Sequence, residues 1–265
     1  MAKHQTFRIP RRLVPVLLGM LTSLSGCAQD YSLAPPANSE QVTVRIKVPP
    51  ELEAEKMEVM YRSTTCQRTR YDAYGKPYKV DGFHGIDVQL QQQGQSDIYE
   101  ARLARDGGGA CRWHLSNITF GVALRNPEQF GNGVTFGGGG GVVVILDHND
   151  SSMGGADIRI DGDVVVKEEL YPWVSESFLG GYKRQVYLSG QSQTFLKYQA
   201  LNARSLYFEP RFNSRLIVYS VEPKVHRIGV FTKFSYPDGS VVSDGGAYPD
   251  FRRLEAIRKA IENNK

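Results

Sequence analysis

Apolar residues recur at every second position through most of this chain, and that period constrains the fold more than any other feature. Val42, Val44, Ile46 and Val48 alternate with Thr43, Arg45 and Lys47, the pattern of a strand with one buried face. Pro49 and Pro50 end it. Met57, Val59 and Tyr61 repeat the pattern on the way to Cys66, as do Ile86, Val88 and Leu90. Gln91 to Gln95 reads as a solvated turn, which makes Tyr99, Ala101 and Leu103 the expected hairpin partner of residues 86–90. Cys111 opens a longer strand with Trp113, Leu115, Ile118, Phe120, Val122 and Leu124; its phase slips near Ser116 and Asn117, which predicts a bulge. Val142 to Leu146 reads as a well-buried strand. Ile158, Ile160 and Val164 to Val166 flank Asp161-Gly162, a tight hairpin signal. Val186 with Leu188, Leu216 to Tyr219 and Ile228 to Phe234 add further strands, while residues 195–208 fit either helix or strand.

The period changes once. Phe251, Leu254, Ile257 and Ile261 recur at three- and four-residue spacing after Asp250, a capping residue, so a helix is expected over 250–263. Arg252, Arg253, Arg258 and Lys259 fill much of its other face, diluted by Glu255 and Glu262, and the apolar stripe packs the helix on a sheet. The expected class is mainly β: an antiparallel β-sandwich-like domain, in two layers or subdomains, with one C-terminal α-helix.

The first residues read differently. Lys3, Arg8, Arg11 and Arg12 precede an apolar run over 13–24 that is too short to span a bilayer as a helix. Leu24-Ser25-Gly26-Cys27 follows, and it resembles the bacterial lipoprotein signal, or lipobox. The resemblance implies cleavage before Cys27 and lipidation of that cysteine, so that the chain is held on a membrane by its acyl chains. Ala28 stands where enteric inner-membrane lipoproteins carry aspartate, which implies the periplasmic face of the outer membrane. An ordinary signal peptide and a retained membrane helix are the alternatives. The expected organisation is a signal peptide over 1–26, the lipidated cysteine and a flexible Pro-containing tether over 27–39, and a periplasmic domain over 40–265.

Charge agrees with that division. The chain has 32 Lys+Arg and 28 Asp+Glu, but four basic residues and no acidic ones lie in 1–26, leaving 32 − 4 = 28 against 28. The basic excess is not a nucleic-acid footprint, and no nucleic-acid partner is expected. Setting Cys27 aside leaves Cys66 and Cys111, which in an oxidising compartment are expected to pair; a metal pair or a reactive thiol is the alternative, and no histidine stands at short ligand spacing.

Sites of chemistry are sparse. The five glycines at 137–141 precede a strand and lack the lysine and helix of a phosphate loop. Asp147 to Ser152 departs from an EF-hand at Ser152 and Ile158. His4, His84, His114, His148 and His226 form no zinc motif, and Ser189 to Ser192 is no nucleophile elbow. No catalytic residue, metal or cofactor is expected. Binding is the better-supported class, because Tyr, Trp and Arg dominate recognition surfaces. Candidate partner-binding residues are Arg68, Arg70, Tyr71, Tyr74 and Tyr78 in a loop over 67–85, with Trp173 and Tyr182 in an aromatic connection over 171–182. In general architecture the chain resembles periplasmic immunity lipoproteins that neutralise toxins delivered between bacteria, which implies a protein partner. An accessory lipoprotein of an envelope or secretion assembly is the alternative, and a lipoprotein enzyme or small-ligand binder the second.

Overall fold

A computed structural model of the chain describes residues 30–148, 156–191, 195–225 and 227–264. Cys27, His226 and the 149–152 part of the acidic loop lie outside the described residues. No helix among the described residues is long and apolar enough to cross a membrane.

The protein is mainly β. In chain order, β1 (Gln41–Lys47), β2 (Leu52–Ala54), β3 (Met57–Tyr71), β4 (Pro77–Val88), β5 (Gln91–Gln92) and β6 (Ile98–Ala104) come first. The middle holds β7 (Asp106–Gly108), β8 (Trp113–Leu124), β9 (Thr135–Gly139), β10 (Gly141–Ile145) and β11 (Ile158–Arg159). The last part holds β12 (Val164–Ser177), β13 (Lys183–Ser189), β14 (Phe195–Gln199), β15 (Ser205–Phe212), β16 (Val218–Val221), β17 (Lys233–Ser235), β18 (Val241–Val242) and α1 (Phe251–Asn263).

Among the described residues these strands form a ten-stranded and an eight-stranded sheet. The inward phases of both meet in one core. Val42, Val44 and Ile46 of β1 and Leu206 and Phe208 of β15 face Val59 of β3 and Ile118, Phe120 and Val122 of β8. The Phe120 and Phe208 rings meet edge to face at 6.4 Å. Alternation produces this arrangement directly, because period two puts every apolar side chain of a strand on one face.

The expected antiparallel pairing holds only in part: both sheets are mixed. β1, β12 and β15 run parallel to one another in the larger sheet, and β10, β11 and β14 do so in the smaller. The cause is repeated crossing between layers. After Asp161-Gly162 the chain passes from β11 in one sheet to β12 in the other, so this turn closes no hairpin. Likewise β4 pairs with β3, while β6 takes β1, leaving β5 as its short hairpin partner. The bulge falls where the sequence placed it: the β3–β8 register shifts between Met60 and Tyr61, leaving Ser116 as the extra residue.

A second, smaller core lies where β12 leaves the sandwich. Tyr171, Val218, Phe234 and Tyr236 pack there against Leu254 and Ile257 of α1. Asp250 caps the helix by accepting from the backbone N–H groups of Arg252 and Arg253. Two helix residues depart from expectation. Ile261 is exposed, and Arg258 turns inward, donating to the Tyr171 hydroxyl and pairing with Glu255 and Glu262.

Cys66 and Cys111 form the expected disulfide, with Cα atoms 5.2 Å apart. Beside it, the Ser63 hydroxyl accepts from the backbone N–H groups of Thr65 and Cys66 and donates to the Cys111 carbonyl. The N-terminal segment, expected to run free to residue 39, instead lies against this corner. Ala34 N–H donates to the Gly107 carbonyl (2.9 Å), Trp113 Nε1–H donates to the Tyr31 carbonyl (3.1 Å), and Leu33 packs on the core. Gly107 to Gly109 make room for it, since a Cβ on any of the three would overlap residues 32–34 or Tyr61.

Candidate functional site

Strand β8 starts beside the disulfide, where His114 lines one concave surface, and runs to Gly121, which pairs with Gly141 next to the glycine run that lines a second. Trp113 to Gly121, eight residues, spans about 26 Å at strand rise.

At the disulfide end, the expected loop over 67–85 is a long antiparallel hairpin, the β3–β4 arm. The register between Ser63↔Gly82 and Arg68↔Val80 places four residues opposite one, so the arm bends at Cys66. Beyond that bend, Arg68 to Tyr71 pair with Pro77 to Val80 and, among the described residues, with no third strand. The loop reading failed because these residues are polar on both faces, as befits a ribbon solvated on both sides. The arm is locally well fixed. The Arg68 guanidinium lies 3.8 Å over the Phe83 ring, Lys79 Nζ donates to Thr69 (2.8 Å), and the Asp72 carboxylate accepts from the N–H groups of Tyr74 and Lys76 at the turn.

Under the arm lies an open basin of about 970 Å³, lined among others by Arg62, Arg70, Tyr78, His114, Asp147 and His148. It brings together Arg70 and Tyr78, two of the candidate residues, with His148. His114, near the start of β8, stands 3.7 Å from Asp147. His84 is elsewhere, tilted against Trp113 at 5.5 Å. Among the described residues, no group of three or more His, Cys, Asp or Glu side chains could hold a metal.

At the far end, the expected connection over 171–182 is the end of β12 and its hairpin with β13. This ribbon carries Trp173 at its base and Tyr182, exposed beside Phe178, at its tip. Trp173 is the centre of an aromatic cluster. Its ring lies 4.8 Å from Tyr187 and 5.9 Å from Tyr248, and its indole N–H donates to Ser220 Oγ at 2.7 Å. Around it is a cleft of about 1010 Å³, walled by Trp173, Tyr187, Tyr248 and Phe251, with Gly137 to Gly139 along one side. The glycine run therefore has a packing role: Tyr187 lies where a Cβ on Gly137 would stand.

Glu168 lies behind this cleft. It occupies the inward phase of β12 after Val164 and Val166 and is 7 % exposed. One carboxylate oxygen accepts from the Gln191 backbone N–H (2.9 Å), and Gly190 leaves the space it fills. Burial pushes its pKa up to about 7, against the opposing pull of the Gln191 hydrogen bond. The sequence reading missed Glu168, although an acid on the apolar phase of a valine-rich strand was a visible signal. It also missed Tyr187 and Tyr248, whose convergence on Trp173 depends on pairings between distant segments.

The class these features define is a mainly β, disulfide-stapled two-sheet protein with a helix-backed aromatic cleft. No family model, curated protein or solved structure matches the chain.

Proposed function

We propose that this chain is a lipid-anchored binding protein of the bacterial envelope, held by Cys27 on the periplasmic face of the outer membrane, that engages a protein partner through the Trp173 cleft. The observation carrying this reading is the cleft itself, lined by four aromatic side chains of which Trp173, Tyr187 and Tyr248 are in ring contact, and set toward the far end of β8 from the corner where the N-terminal segment meets the domain. Rigid aromatic anchors in a formed recess are the usual centres of protein recognition. The favoured partner is a secreted antibacterial toxin, which makes the protein an immunity lipoprotein; an envelope or secretion assembly is the alternative partner.

Affinity purification of the full-length chain from membranes, with mass spectrometry, tests this. One stoichiometric partner is expected, and Trp173→Ala should weaken its capture about thirtyfold or more, the loss of a central aromatic anchor. Undiminished capture by Trp173→Ala counts against the cleft. A captured enzyme whose activity falls on adding the chain supports immunity; captured envelope subunits support the accessory role. Anchoring has a separate readout: Cys27→Ser should lose metabolic labelling with palmitate, and labelling that persists removes Cys27 as the acceptor.

A further inference from the structure

We infer that the β3–β4 arm is a membrane-facing element, resting on an anionic phospholipid surface with Tyr71, Tyr74 and Tyr78 at headgroup depth. The inference rests on the anchoring reading above and extends it from a point of attachment to a surface.

Two independent observations meet here. The first is where the chain enters. The Asp30 carbonyl oxygen lies 3.9 Å from Cys111 Sγ, and the Tyr31 carbonyl accepts from the Trp113 indole. Cys111 is bonded to Cys66, the residue from which the arm departs. Cys27 stands three residues before Asp30, a reach of about 10 Å at full extension. From Cys66 to Tyr71 the arm gains five residues, about 16 Å of strand. The arm is thus at least as long as the spacer, so a bilayer holding Cys27 lies within its reach.

The second is composition. Residues 67–81 carry Arg68, Arg70, Lys76 and Lys79 against Asp72 and Asp81. Asp72 is engaged by its own turn, and Arg112 adds an exposed positive charge at the arm's base. Tyr71, Tyr74 and Tyr78 are 67 %, 96 % and 47 % exposed. Tyrosine seats at the membrane–water interface, where its ring meets the acyl boundary and its hydroxyl stays hydrated, and Lys and Arg pair with anionic headgroups. The arm's excess of two positive charges, 4 − 2, corresponds to about a thirtyfold preference for anionic over zwitterionic lipid.

The test uses the full-length chain, extracted from membranes and reconstituted into vesicles of brominated phosphatidylcholine with or without phosphatidylglycerol. Tyr74→Trp places an indole at the tip, and the unsubstituted chain gives the background from Trp113 and Trp173. With phosphatidylglycerol, emission from the added indole should fall about twofold, as for a group ~5–10 Å into the boundary. Replacing Arg68, Arg70, Lys76 and Lys79 by Gln in the same chain should restore it, with circular dichroism confirming the fold. No quenching, or equal quenching with and without phosphatidylglycerol, overturns the inference. The mass of the same preparation reports lipid on Cys27 separately. Lipid without quenching defeats the arm alone, and quenching without lipid supports the arm while defeating the anchor chemistry.

Discussion

The β3–β4 arm and the β12–β13 ribbon are both long hairpins that carry aromatic residues past the sandwich, one at each end. The ribbon is flanked by β16 along β12 and by β9 along β13, and its base shares a core with α1. The arm beyond Cys66 has neither a flanking strand nor a helix among the described residues. Its base is held by a disulfide and by the Ser63 hydrogen bonds instead. Tyr71 and Tyr74 therefore face solvent while Trp173 and Tyr187 stack on each other. Similar residues thus make an exposed, charged face at one end and a packed recess at the other, and the neighbouring elements decide which.

Covalent support at one end and packing at the other should respond to different perturbations. The largest expected effect is at the disulfide. It links residues 45 apart, and closing such a loop stabilises by about 4 kcal/mol in the chain-entropy model. Replacing both Cys66 and Cys111 by Ser should lower the unfolding free energy by about that amount. Hydrogen exchange should show the arm and the docked residues 31–34 opening before α1. Simultaneous opening of both ends would mean that they form one cooperative unit.

Next comes Glu168, which couples pH to the far end. Its folded-state pKa, raised to about 7, exceeds the ordinary carboxylate value of 4.5, so the folded state holds its proton where the unfolded chain has lost it. The stabilising effect is complete below pH 4.5 and is lost as pH rises through about 7, a change of about 3 kcal/mol at most. Glu168→Gln keeps an acceptor for Gln191 N–H and cannot ionise. It should be the more stable protein at pH 8 and lack this dependence between pH 5 and 7, as read by denaturant unfolding. Parallel pH profiles for the two proteins would show that Glu168 ionises freely in the fold.

How much of this was legible follows from range. The alternation at 42–48, the slip at Ser116, the pairing of Cys66 with Cys111 and the cap at Asp250 were readable because each is local or, for the cysteines, a matter of elimination. Which strands become neighbours was not readable. The turn at Asp161-Gly162 reverses the chain whether β12 joins the same sheet or the other, and turn chemistry is the same in both cases. The far cleft was hidden for the same reason: Gly137 and Tyr187 are 50 residues apart and meet only through the parallel pairing of β9 with β13. The arm was read as a loop, since a ribbon exposed on both faces leaves no apolar period to read.

The smallest expected effect tests whether α1 belongs to the recess or merely covers its back. Phe251 contributes to the cleft wall, and the preceding Asp250 carboxylate accepts from Arg252 and Arg253 N–H. Asp250 N–H in turn donates to the Tyr236 hydroxyl at 2.8 Å, tying the helix start to the small core. Asp250→Ala removes the cap and should cost about 1 kcal/mol, felt at the first turn. Leu254 and Ile257, buried against Tyr171 and Phe234, should keep the rest of the helix in place. If the helix start shapes the recess, partner capture should fall with this variant while hydrogen exchange in the β3–β4 arm stays unchanged. Full capture with a frayed first turn would confine recognition to Trp173, Tyr187 and the glycine edge, leaving α1 a purely supporting role.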